Sequence, residues 1–255
     1  ALGVPPPDGG TFLFLDLRSQ LNSAGHSADD FLLRCIHKNI LLAPGASFGH
    51  QYSQYVRICF TAAPLEEVMA LLKEQGYDII GDVHGCAHTL ERLLELMGYR
   101  VQAGVWRHPQ RKALFLGDII DRGPRIREAL HLVHGMVEAG EAQCIMGNHE
   151  FNALCWETRA PAGSGREYLR EHNERHLRQI GDTLEQFAHW PQEWRDLVGW
   201  FGQLPLFLDF GLFRMVHACW DARLIQPLRE QYPDGRVDRE FIEASVERGS
   251  FAAQT

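Results

Sequence analysis

The sequence has no C-x-x-C pair, only three lysines, and no apolar run near the roughly 20 residues that a membrane-spanning helix needs. Each shortage excludes something. The six cysteines, at 35, 59, 86, 144, 155 and 219, are scattered along the chain, a pattern that predicts reduced thiols in a cytoplasmic protein. No basic-then-apolar leader is present, which points the same way. An excess of positive charge is also missing. With 25 Lys+Arg against 33 Asp+Glu the net charge is −8, which disfavours a broad nucleic-acid-binding face. Small anionic substrates remain compatible, because a metal or a few arginines can reverse the local field. What is present is ordinary for a globular protein: 45% hydrophobic and 23% charged residues, in a length of 255 that holds one large domain or two modest ones.

The two halves read differently. In residues 1–75, TFLFLDL and QYVRICF have strand composition. SADDFLLRCIHKN reads as a helix with Ser27 as N-cap and Asp30 at the capping-box position. A short apolar piece, ILLAP, follows it, and APLEEVMALLKEQG reads as a second helix ended by Gly76. Together these predict a small α+β unit. From Tyr77 the pattern becomes strand (YDIIG), helix (HTLERLLELMG), strand (ALFLG), helix (PRIREALHLVHGMVEAG) and strand (AQCIMG), which predicts an α/β domain over 76–255. Pro124 is expected in the first turn of the second of these helices. Residues 157–203 interrupt the pattern. Their polar amphipathic stretch and the Trp-rich HWPQEWRDLVGWF suit either a solvated helical pair or a substrate-gating cap.

The chemistry lies where strands end. GDVHG (81–85), GDIIDRG (117–123) and GNHE (147–150) each follow an apolar strand, and RMVHACW adds a fourth, weaker instance. One such fragment is usually a polar turn. Three in order, separated by helices, are not chance turns, and with the fourth they deliver Asp82, His84, Asp118, Asn148 and His217 as an oxygen-and-nitrogen ligand set. That set suits Mn²⁺, Fe or Zn²⁺. His131 and His134 are expected to be structural, His172, His176 and His189 to be surface residues, and Cys86 to be a small packing residue.

These three motifs resemble the metallophosphoesterase (calcineurin-like) superfamily, over about residues 77–220. The likeness is strongest to its phosphoprotein-phosphatase branch, which includes symmetrical dinucleoside tetraphosphatases. The resemblance implies a β-sandwich flanked by helices around two divalent metal ions, Mn²⁺ first among the candidates. Asp82 and His84 would bind one ion, Asp118 would bridge, and Asn148 and His217 would bind the other. Arg122 would clamp substrate phosphate, His149 would act as general acid, and Asp121 would orient it. The implied reaction is hydrolysis of a phosphate monoester or phosphoanhydride by hydroxide activated between two metals. A phosphorylated small molecule, a dinucleotide or a phosphoprotein would be the substrate. The family closes its second metal site with a later histidine, whereas no histidine follows His217 here. A truncated C-terminus is therefore expected, and Arg223 is the candidate for the family's second phosphate-binding arginine. A catalytically weak metal- or phosphate-binding module is the alternative.

GGTFLFLDL and APGASFG…YVRICFTAAPLEEVMALL, within residues 9–75, resemble the C-terminal small domain of fold-type I pyridoxal-phosphate-dependent aminotransferases. That resemblance implies that Arg57 grips a substrate carboxylate. A cofactor aldimine needs a lysine, and neither Lys38, Lys73 nor Lys112 stands in a setting like the cofactor lysine of that family. Residues 1–75 are thus expected to be a retained or fused fragment of such an enzyme.

Overall fold

The computed structural model describes the backbone of three strands within the first 75 residues, and residues 76–254 apart from 212 and 248. The chain divides into two units, Ala1–Asp78 and Ile79–Thr255. In the first, β1 (Phe12–Asp16), β2 (Ala43–Pro44) and β3 (Tyr55–Cys59) form an antiparallel sheet in the order β1-β3-β2. Its register pairs Phe12 with Cys59 and Asp16 with Tyr55, and sets Arg57 between Phe14 and Ala43. β1 and β3 are the strands expected from TFLFLDL and QYVRICF. The two helices expected in this half, with Ser27 and Asp30, lie outside the described residues.

The second half is built on β4 (Tyr77–Ile80), β7 (Lys112–Phe115) and β8 (Ala142–Cys144), in the order β4-β7-β8, with β7 and β8 parallel. Central β7 has Ala113, Leu114 and Phe115 fully buried. A strand covered on both faces loses the hydrophobic-polar alternation of a surface strand, which is why ALFL reads as a continuous apolar run. The covering helices are α1 (Ala87–Leu96), which buries Ala87, Leu90 and Leu94, and α2 (Ile126–Glu138), which buries Ile126, Ala129, Leu130, Val133 and Met136. Both spacings put the apolar residues on one helical face. Each large side chain buried in this way contributes about 1.5–3 kcal/mol. The N-cap of α2 is Arg125, so Pro124 precedes the helix and does not occupy its first turn.

Between α1 and β7 lies a hairpin, β5 (Arg100–Gln102) and β6 (Val105–Arg107), absent from the pattern expected of the sequence. Its strands are three residues long with no buried face, so the period-2 signal is absent. The turn at Ala103 and Gly104 has positive φ at both residues (50° and 79°), the geometry of a tight two-residue hairpin.

After β8 come α3 (Asn148–Glu157), α4 (Glu174–Gln186) and α5 (Pro191–Phe201), then the antiparallel pair β9 (Phe207–Asp209) and β10 (Arg214–Val216). Three short helices follow: α6 (Ala222–Gln231), α7 (Arg239–Ala244) and α8 (Phe251–Gln254). Among the described residues the β-sandwich implied by the resemblance is thus reduced to a three-stranded sheet and this two-stranded pair. The segment 157–203 is not a solvated helical pair. α5 buries Trp194, Leu197, Val198, Trp200 and Phe201, and α4 buries Ile180 and Thr183. Arg127 on α2 ties α5 down with a bidentate pair to Glu193 at 2.7 and 2.8 Å, and His131 bonds the same carboxylate at 2.8 Å.

Candidate metal centre

The loops after β4, β7 and β8 are held together by their own backbones. Val83 and His84 donate their amides to Asp118 O at 2.9 Å, and Gly85 donates to Ile119 O at 2.7 Å. Such close approach needs glycine at particular places. A Cβ on Gly147 would run into the backbone nitrogen and carboxylate of Asp118, and one on Gly123 would meet the carbonyl of His84. His84, Asp118, Asp121 and Arg122 all adopt positive φ, at 42°, 54°, 69° and 68°. Left-handed backbone at non-glycine residues costs on the order of 1 kcal/mol or more each and persists where the surroundings over-determine it.

Glu150 supplies that surrounding. It is fully buried, and its carboxylate accepts the amides of Gly147 (3.1 Å), Asp118 (2.8 Å), Ile119 (2.8 Å) and Ile120 (3.3 Å). Burial, then the nearby Asp118 charge, pushes its carboxyl above the usual range, and the amide donors oppose this. Four donors and no acceptor favour the ionised, accepting form. Glu150 is the last letter of GNHE, a place in the motif that gives no sign in the sequence of this buried role.

Asp118 lies at the centre. Its Oδ1 accepts the amide of His149 at 3.0 Å, which leaves Oδ2 facing three imidazoles: His217 Nε2 at 3.4 Å, His84 Nε2 at 3.8 Å and His149 Nε2 at 3.9 Å. His84 Nε2 is also 3.9 Å from Asp82 Oδ2. Hydrogen bonding fixes the tautomers. His84 donates from Nδ1 to Ile120 O at 2.9 Å, so its buried Nε2 points a lone pair at two carboxylates and has no hydrogen-bond partner. His217 donates from Nδ1 to Leu116 O at 2.6 Å, and its Nε2 is 3.0 Å from Asn148 Oδ1. Acceptors converging without donors between them need positive charge among them, and this donor set fits a divalent cation. The pKa of His217 tells the same story. Burial would lower it, but bonding to Asp118, the Asp118 charge and the Leu116 carbonyl raise it to about 9. Burial outweighs the neighbouring carboxylate at His84, whose pKa is lowered. At Asp118 burial alone would raise the pKa, and the two histidines carry it below the usual range.

Two groups of three lie close enough to share an ion: Asp82, Asp118 and His217, and His84, Asp118 and His149. The second includes His149, which the family resemblance sets apart from the ligands as a general acid. His149 Nδ1 is 2.6 Å from Asp121 Oδ2, and its Nε2 faces Arg122 Nη2 at 3.3 Å. A guanidinium at Nε2 opposes a second cation at that nitrogen. Burial lowers the His149 pKa, while the bond to Asp121 and the charges of Asp118 and Asp121 outweigh it, so the net shift is upward. Asp121 is in turn held by Thr183, whose hydroxyl accepts the Asp121 amide at 3.1 Å and donates to Asp121 Oδ1. Thr183 carried no signal in the sequence.

Arg223 is exposed and paired with Asp221 two residues away, a local cap of α6 without a partner among the metal-centre residues. Cys86 is exposed at the N-cap of α1, so it is not a packing residue, while Cys144 and Cys155 are buried. His172 is stacked between Trp156 at 3.7 Å and Tyr168 at 4.1 Å, a structural position despite its exposed edge. His134 packs edge-on against Trp200 at 4.8 Å.

Residues 77–228 match the family model of calcineurin-like phosphoesterases, and the chain belongs to that family. Its members use divalent metal ions and hydrolyse phosphoester or phosphoanhydride bonds. Among curated relatives, the asymmetrical bis(5'-nucleosyl)-tetraphosphatase PrpE of Halalkalibacterium halodurans is 45% identical over 74 residues, 29% of this chain and 30% of that protein. The protein of the same name from Oceanobacillus iheyensis is 47% identical over 73 residues, 28% and 29% of the two chains. That of Bacillus subtilis is 40% identical over 75 residues, 29% and 31%. The chain thus spans about 30% of the length of the curated relatives it matches. These relatives are named for asymmetrical cleavage, whereas the branch named from the sequence includes symmetrical enzymes. No helix among the described residues is long and apolar enough to cross a membrane.

Proposed function

We propose that this chain hydrolyses a phosphoanhydride or phosphate monoester, with a dinucleoside polyphosphate as the favoured substrate class and a phosphoprotein second. The observation that carries the reading is the set of acceptors around Asp118 Oδ2, with the buried Nε2 of His84 left unpaired. Asp82, His84, Asp118, Asn148 and His217 would hold two divalent cations, Mn²⁺ being the best match to the ligands. When bound, such ions supply Lewis acidity and make hydroxide available near neutral pH. The side chains do the rest. Arg122 is exposed beside His149 and can turn its guanidinium onto two phosphate oxygens as charge develops there. His149 hands a proton from Nε2 to the departing oxygen, and Asp121 fixes the tautomer by accepting from Nδ1. Thr183 keeps the Asp121 carboxylate from rotating away by donating its hydroxyl to Oδ1.

A second reading follows from the close approach of His84, Asp118 and His149: His149 itself is a ligand. Substitution separates the two, since a general acid can be removed without losing metal. For residues 1–75 we keep the aminotransferase small-domain resemblance as the origin of the segment, with residues 76–255 as the phosphoesterase domain. The test of the main reading uses the full chain soaked in Mn²⁺. Elemental analysis should find bound metal, phosphate should be released from p-nitrophenyl phosphate, and diadenosine tetraphosphate should be split into two adenosine mononucleotides. A chain that retains no metal after soaking would overturn the reading.

A further inference from the structure

Beside the metal centre lies a narrow cavity of about 30 Å³, lined by Asp121, Asn148, His149, Asn152, Arg170 and His176 among others. It therefore joins the proposed acid to residues that no part of the mechanism has used. Arg170 is half-buried, with Nη1 donating to Asn152 Oδ1 and Nη2 to Gln179 Oε1 at 2.5 Å. Both partners are neutral amides. Among the described residues no carboxylate forms an ion pair with Arg170, and the carboxylate whose charge acts on it, Asp121, is committed to His149 and Thr183. A guanidinium drawn out of water without a counter-charge is unfavourable unless an anion joins it. His176, also in the lining, donates from Nδ1 to the Glu171 carbonyl at 2.8 Å.

We infer that Arg170, held by Asn152 and Gln179, receives the phosphate of the leaving group and so makes the site selective for phosphoanhydrides over simple monoesters. The inference rests on the hydrolase reading above and adds to it the chemistry of the departing group. In the step it serves, water adds its oxygen to the phosphorus under attack while the bridging P–O bond breaks. The bridging oxygen leaves on the second phosphate and takes a proton from His149, and the proton that the attacking water gives up passes to solvent, from which His149 is reprotonated. Both products are phosphates, and the balance needs no other reactant. Charge accumulates on the departing phosphate, and a forked guanidinium next to His149 can bind two of its oxygens. The cavity is lined by polar groups from His149 to Arg170 that can meet phosphate oxygens.

The alternative is that Arg170 only braces α3 against α4 through Asn152 and Gln179. Kinetics of the Mn²⁺-loaded full chain with diadenosine tetraphosphate and with p-nitrophenyl phosphate tell the two apart. Arg170→Ala should lower the ratio of kcat/KM for the tetraphosphate to that for the aryl ester by about ten- to a hundredfold, the range of one charge-assisted hydrogen bond. Arg170→Lys, which keeps the charge and loses the fork, should recover part of it. Thermal unfolding of both variants shows whether the helices have loosened, and the Lys variant carries the comparison if the Ala variant does not fold. Equal losses on the two substrates, or none on either, would overturn the inference and leave the hydrolase reading standing. A metal-loaded wild-type chain that hydrolyses neither substrate overturns that reading first, before any variant is made.

Discussion

The strand-tip loops and helix α4 both build the site, by opposite means. The loops do it with strained backbone and candidate site residues packed close in sequence: GDIIDRG alone holds Asp118, Asp121 and Arg122, all at positive φ. α4 does it with regular helix and isolated side chains, Thr183 against Asp121 from 62 residues away and Gln186 accepting the Ile126 amide at 2.7 Å. The difference shows how the work is divided. Groups that converge on one point must leave a sheet edge together, so their spacing is local and recognisable. Groups that orient them can come from any element packed alongside.

The largest effect should come from the centre of the loops. Asp118→Asn removes the charge that faces His84, His149 and His217, and should lose metal and activity together on every substrate. Elemental analysis and phosphate release on the same preparation check this. Full metal retention would mean that Asp118 is not the bridging ligand.

Next is His149→Ala. As a general acid, its loss should lower kcat by about 10²–10⁴-fold on substrates with poor leaving groups, and by less on p-nitrophenyl phosphate. Metal content should hold. If the metals are lost as completely as in Asp118→Asn, His149 belongs with the ligands.

A smaller effect is expected at Glu150, where loop and helix meet. Glu150→Gln keeps one carbonyl oxygen but turns an NH₂ group toward amide donors, in a site with no water-exposed edge. It should cost about 1–3 kcal/mol of stability. The loops should bind metal more weakly as their backbone relaxes. Urea unfolding and a metal titration measure the two consequences, and an unchanged unfolding midpoint would show that the four amides find other partners.

How far the sequence was legible follows the same division. β4, α1, β7, α2 and β8 all lie where periodicity and turn chemistry put them, because each buries a simple face. The hairpin β5–β6 escaped because three-residue strands with no buried face leave no period. The segment 157–203 reads as solvated because α4 is polar on most of its surface. Its inward residues are one isoleucine and one threonine, too few to mark a buried face. Arg170 lies in an ordinary polar stretch and Asn152 in a largely apolar helix, and only packing brings them to one cavity. Arg223 attracted attention by following the His217 motif, but nearness in sequence to a ligand did not bring it near the site.

The finest test of the comparison is Thr183. Its hydroxyl accepts the Asp121 amide and donates to the Asp121 carboxylate, and both residues are buried. Thr183→Val keeps the shape and deletes the hydroxyl, leaving a buried amide without its partner. Asp121 would still accept from His149 Nδ1, so the imidazole keeps its tautomer but loses the stop on the far side of its carboxylate. The expected result is about a tenfold fall in kcat with poor leaving groups, a smaller fall on p-nitrophenyl phosphate, and metal content like wild type. Some stability should be lost as well, and thermal unfolding would report it. Stability alone does not make the case, because any buried hydroxyl could show it. The dependence on the leaving group does, since it appears only if Thr183 acts through Asp121 on the proton donor. Thr183→Ser, which restores the hydroxyl and removes only a methyl group, should recover the rate. A Val variant as fast as wild type on both substrates would reduce α4 to packing and leave the loops alone responsible for the site.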